Sequence, residues 1–198
     1  MVRLFALALF VVAVLPAQGQ IFEDFESYSD TPGLQVVWSF AQLDTTTPNP
    51  GTGTKSLKRG GEATYLSGYY SAASGDGSED LSDEDIGVLA RRDPGSVSPT
   101  GLQLEIRDGS SLSCFSPVVE VTDTSWHAVD VDPQGSNCQS SGIDVTDISV
   151  VRLWVFNRMN VGGSFDIAAN FDDLAIFLAR DGFESGDLSG WSSFVGGS

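Results

Sequence analysis

Two short runs of alternating residues carry the side chains best suited to chemistry. In one, Arg152, Trp154 and Phe156 interleave with Val151, Leu153 and Val155; in the other, Gln103, Glu105 and Arg107 interleave with Leu102, Leu104 and Ile106. Successive side chains of a strand point to opposite faces, so each run has one apolar face and one functional face. A flat aromatic ring stacks on a sugar ring, and planar polar groups bond its hydroxyls. If the two runs share a sheet, the rows Arg152/Trp154/Phe156 and Gln103/Glu105/Arg107 make a glycan platform. The alternative leaves Trp154 and Phe156 under a loop or on the second side of a packed sheet.

Catalysis has less to work with. His127 is the one histidine, and any Ser-His-Asp triad would have to be built on it without a G-x-S-x-G nucleophile elbow. A zinc centre needs more His and Cys than the chain holds. Paired carboxylates can run glycoside hydrolysis, yet Glu23-Asp24-Glu26 and Glu79-Asp80 lack the alternating apolar setting that would aim them into a cleft. The sequence reads as a non-catalytic binding module rather than an enzyme.

Charge narrows the partners. Twenty-seven acidic residues against 10 basic ones leave the 198-residue chain at −17. Nucleic-acid phosphates would be repelled, and so would anionic membrane surfaces. Such a surface is well solvated, and clustered carboxylates favour a hard cation such as calcium. The N-terminus points to export: Met1-Val2-Arg3, an uncharged apolar run over 4–15, then Ala17-Gln18-Gly19. That is the layout of a cleaved secretory signal over residues 1–19. The apolar run is shorter than the roughly 20 residues a membrane helix needs, and no later segment is apolar enough to span. The expected location is therefore extracellular, with the cell surface or periplasm included. In an exported chain the two cysteines, Cys114 and Cys138, suggest a disulfide. It would stabilise the fold by roughly 3 kcal/mol; two separate thiols are the alternative.

The elements that must position these groups are mostly strands. Short alternating segments broken by Gly, Ser, Asp and Pro predict an all-β sandwich over 20–178, followed by a tail over 179–198. Thr31 and Pro32 predict a short early helix, with Thr31 as N-cap and Leu34, Val37 and Trp38 on one face. Residues 57–70 predict one or two strands, residues 72–85 an acidic solvated loop, and residues 119–131 two strands around a turn at 122–124. Phe171-Asp172-Asp173-Leu174-Ala175-Ile176-Phe177 is a last strand. Trp38 reads as a core residue, His127 as structural, and Tyr65, Tyr69 and Tyr70 as a second aromatic set. Asp24-Phe25-Glu26-Ser27, with Trp38 downstream, is echoed by Asp181-Gly182-Phe183-Glu184-Ser185 with Trp191.

Taken in order, several segments resemble carbohydrate-binding modules with the galactose-binding-domain-like jelly roll, the family 11 type above all. They are Phe22-Glu23-Asp24-Phe25-Glu26-Ser27-Tyr28, Thr31-Pro32-Gly33-Leu34, Gly53-Thr54-Lys55-Ser56-Leu57-Lys58, Thr124-Ser125-Trp126-His127 and Phe171-Asp172-Asp173-Leu174. The resemblance implies a two-sheet antiparallel jelly-roll β-sandwich with a structural calcium ion where the first and last strands meet. It implies Glu26 with Asp172 or Asp173 as ligands, and Trp126 in the core; Asp24 is a further candidate ligand. Carboxylates buried beside Phe25, Phe171 and Leu174 would be costly without a cation. The implied partner is an extracellular glycan or polysaccharide. A structural or adhesive surface protein of the same fold is the rival reading.

Overall fold

Alternation of apolar and polar positions builds two sheets whose apolar faces meet. The computed structural model describes residues 20–46 and 53–178. Residues 1–19, expected to be a signal, and the tail over 179–198 with the second copy of the internal repeat lie outside the described residues. The elements run β1 (Gln20–Glu23), α1 (Thr31–Val37), β2 (Trp38–Ser39), β3 (Gln42–Asp44), β4 (Ser56–Ala63), β5 (Gly68–Glu79), β6 (Glu84–Arg92), β7 (Thr100–Asp108), β8 (Ser113–Phe115), β9 (Val119–Val121), β10 (His127–Val131), α2 (Ser136–Ser141), β11 (Ile148–Asn157) and β12 (Phe165–Leu178).

The first sheet has the order β10-β6-β12-β4-β3, with β1 on β12; the second has the order β2-β5-β11-β7-β8, with β9 on β7. Every pairing is antiparallel. The result is the all-β sandwich that the alternation predicted, in the two-sheet jelly-roll form the resemblance implied. Strand β12 is long enough to serve two partners on one flank: its first half pairs with β4, and β1 joins it at Leu174 to Ile176.

The core is the set of inward positions. Leu102, Leu104 and Ile106 of β7, and Val151, Leu153 and Val155 of β11, pack against Val88, Val129, Ile167 and Phe171 of the first sheet. Burying a leucine or phenylalanine side chain is worth about 1.5–3 kcal/mol each, so these positions decide which face of each strand turns outward. The disulfide forms: Cys114 of β8 is bonded to Cys138 of α2, with Cα atoms 4.9 Å apart.

Several local expectations are corrected. Helix α1 is capped one residue earlier than expected, by Asp30, whose carboxylate accepts from the Gly33 amide at 2.8 Å. Thr31 Oγ1 instead accepts the Leu43 amide at 3.1 Å, which ties the helix to β3. Leu34 and Trp38 are buried, but Val37 faces solvent. The acidic stretch over 72–85 is mostly strand. Backbone pairing needs no apolar side chain, so small residues let β5 run on beside β11 from Ser71↔Leu153 to Ser74↔Val150. The two strands at 119–131 exist but form no hairpin, because β9 pairs with β7 and β10 with β6.

Trp126 is not a core residue. Val129 and Val131 point inward, so the even positions of that segment turn outward. Trp126 lies half-buried beneath the Arg91 guanidinium, 5.5 Å from its ring centre. Trp38 is core as expected, with Phe25 edge-on to it at 5.7 Å.

Candidate functional site

The two functional rows do share a sheet. In the register of β5, β11 and β7, Tyr70, Trp154 and Gln103 form one cross-strand row, and Ala72, Arg152 and Glu105 the next. Phe115 of β8 extends the second row beyond Glu105. Phe156 lies between Gly68 and Gly101 in a third. Gly68 is required there: a Cβ at this position would lie 2.7 Å from Phe156 Cδ1.

Three aromatic rings therefore adjoin on the face turned away from the core. Trp154 and Phe156 are parallel within 5° at 5.3 Å between centres, and Tyr70 tilts against Trp154 at 4.6 Å and 52°. Parallel rings in contact are about 3.5 Å apart, so a 5.3 Å separation means that they overlap like shingles. Each presents part of a face and an edge. All three are half-buried. The Arg152 guanidinium lies 4.7 Å from the centre of the Tyr70 ring, an arrangement the ring quadrupole favours.

Glu105 holds this patch from beneath. It is 1% exposed, and its carboxylate accepts Trp154 Nε1 at 2.7 Å, Ser113 Oγ at 2.7 Å and Arg152 Nη1 at 3.1 Å. Arg107 Nε stands 3.7 Å away. A buried carboxylate is tolerated when paired and hydrogen-bonded, and here the pairing fixes the indole orientation. The expectation that Glu105 meets a ligand is corrected, because its oxygens are spent on its neighbours.

Gln103 and Arg107 are half-buried and reach sideways. Gln103 Nε2 donates to the Ser116 carbonyl at 2.8 Å and Arg107 Nη2 to the Ser111 carbonyl at 3.1 Å. Both fasten the 111–116 segment to the sheet. The sequence reading missed Tyr70 and Phe115 as members of this face. Phe115 is 42% exposed, and its alternation about the buried Cys114 was the available signal. Tyr69 points to the other side, over Gly61, with Arg59 against its ring at 4.9 Å; Tyr65 is exposed.

The expected calcium ligands behave differently. Glu26 accepts the Thr54 amide at 2.6 Å, the Lys55 amide at 2.7 Å and Thr54 Oγ1 at 3.0 Å. Asp24 Oδ1 accepts the Glu26 amide, and Asp172 Oδ1 accepts the Asp173 amide. Asp172 and Asp173 are buried. Among the described residues no three His, Cys, Asp or Glu side chains form a group that could hold a metal ion, and both oxygens of Glu26 are engaged by Thr54 and Lys55. His127 Nε2 stands 3.0 Å from Asp123 Oδ1 at the surface. That hydrogen bond is the main reason the Asp123 carboxyl titrates below its ordinary range.

No protein-family model and no curated protein matches the sequence. Solved structures do match. The chain superposes on part of an exo-β-agarase with a TM-score of 0.58 at 14% identity, over 81% of this chain and 25% of that one. It thus spans about a quarter of that protein's length. Weaker likenesses include the family 11 carbohydrate-binding module of cellulase Lic26A-Cel5E of Clostridium thermocellum, with a TM-score of 0.49 at 15% identity, over 82% of this chain and 96% of that one. The CBM22-1 xylan-binding domain from Paenibacillus barcinonensis Xyn10C gives a TM-score of 0.45 at 17% identity, over 73% and 86%. These likenesses concern the fold. Among the carbohydrate-binding modules, family 11 is not singled out.

Proposed function

We propose that this chain is a non-catalytic binding module for a neutral glycan, acting outside the cell, with Tyr70, Trp154 and Phe156 as its contact strip. One observation carries the reading: three adjoining, part-exposed aromatic rings lie on an outward sheet face, anchored from below by a buried carboxylate. Rings held this way present apolar area to the C–H face of a sugar without first having to be ordered. Glu105 offsets one of the two charges of Arg152 and Arg107, and the chain around them stands at −17. That favours uncharged polysaccharides over uronic or sulfated ones. Export rests on the signal-like residues 1–19 and is supported by the disulfide, since such bonds persist in oxidising compartments.

The test is titration of the purified chain against neutral and acidic polysaccharides, with Trp154→Ala alongside. Binding confined to neutral glycans and lost in the variant supports the reading. Absence of binding, or full binding by a folded Trp154→Ala chain, overturns it.

A further inference from the structure

Where β1 leaves β12 and β4 takes its place, the first sheet gathers acidic residues. Glu23 is paired with Leu174, and Leu57 with Phe171, so Asp172 and Asp173 fall between the two partners. Lys55 stands two residues before Leu57 and is therefore at the same end of the β4–β12 ladder. Its ammonium donates to the carbonyl of Glu26 at 2.7 Å and to that of Tyr28 at 2.8 Å. Two carbonyl oxygens of one turn converging on a point are what a hard cation takes as ligands. Here that point is filled by a charge carried on the chain itself.

The neighbouring carboxylate is committed in the same way. Glu26 lies against the backbone of Thr54 and Lys55, and its two oxygens already accept three hydrogen bonds. Gly53 makes this close approach possible, since a Cβ there would collide with Glu26 Oε1. An ionised carboxylate bound by backbone amides is well stabilised without a metal.

We propose that Lys55 Nζ is the resident cation of this junction and that the fold is complete without calcium. Lysine brings one charge and three donors, two of which are used on the carbonyls of Glu26 and Tyr28. The 24–28 turn is thereby fastened to the start of β4 by a side chain rather than by an ion exchanged with the medium.

Thermal melts of the purified chain test this, in chelator, in calcium, and in magnesium at the same ionic strength. An ion that merely screens surface charge acts equally in the last two. The expected result is the same melting temperature in calcium as in magnesium and no loss in chelator. Lys55→Met should melt lower by roughly 5–10 °C, from the loss of two charge-assisted hydrogen bonds. Lys55→Arg, which keeps the charge, should recover part of that loss. A calcium-specific rise of several degrees in the unmodified chain overturns the proposal, and so does a Lys55→Met chain that melts with the unmodified one. The calcium comparison uses the unmodified chain and remains decisive if Lys55→Met does not fold. None of these readouts involves glycan, so failure here leaves the binding reading intact.

Discussion

The two outer faces of the sandwich obey the same alternation rule and come out differently. On the first sheet, outward positions fill with polar groups that bury one another: Asn170 Nδ2 donates to Asp44 Oδ2 at 2.7 Å and to Ser56 Oγ at 3.3 Å, and all three residues are buried. On the second sheet a single buried carboxylate, Glu105, organises aromatic rings that stay part-exposed. Polarity therefore does not mark the proposed binding face. What marks it is apolar area left in contact with water and held still from underneath.

The comparison can be broken most forcefully at Glu105. Glu105→Ala leaves the Arg152 guanidinium and the Trp154 indole without their shared acceptor, and the expected cost is about 3–5 kcal/mol of stability, read as a lowered midpoint in urea. Removing the disulfide by Cys114→Ser with Cys138→Ser frees α2 from β8 and should cost roughly 3 kcal/mol in the same assay, with β11 and its rings left in place. Trp154→Ala should weaken glycan binding by roughly 30-fold or more, the effect of removing an aromatic anchor. Trp126→Ala, on the other face, should leave that affinity unchanged.

The smallest effect concerns pH. Burial first, then the charges of Asp132 and Asp130, push the Asp85 carboxyl up to about 6. A carboxyl raised on folding binds its proton more tightly in the native state. Stability is then lost as pH climbs from the ordinary carboxylate range through about 6. Asp85→Asn should raise the melting temperature at about pH 7.5, with the gain vanishing near pH 4. A gain equal at both values would mean that the group does not titrate as described.

Much of the fold was legible because its signal is local. Leu102, Leu104 and Ile106, like Val151, Leu153 and Val155, state their inward face by spacing alone. Trp126 was misread against that rule: the resemblance drew it into the core, although Val129 and Val131 assign its position to the outside. The composition of the binding face was only half legible. Trp154 and Phe156 share a strand, but Tyr70 reaches them through the cross-strand register, and no run of sequence states which residue of β5 lies opposite Trp154. The burial of Glu105 was hidden for the same reason, since it depends on Ser113, Arg152 and Trp154 arriving from two other strands. Charge count favoured a metal at the strand junction; that Lys55 reaches the carbonyls of Glu26 and Tyr28 is not stated by any run of sequence.

The brevity of the outer strands has a further consequence. Among the described residues the second sheet is bordered by β2, of two residues, and by β8 and β9, of three each, with β8 pinned through Cys114. A sheet margin is a row of unpaired amides and carbonyls onto which another molecule's strand can be added. On that side of the 12-residue β5, β2 covers only Ala72 and Ala73, so it is like charge that keeps copies apart. Crowded copies of this chain are therefore held apart by charge rather than by the shortness of their margins.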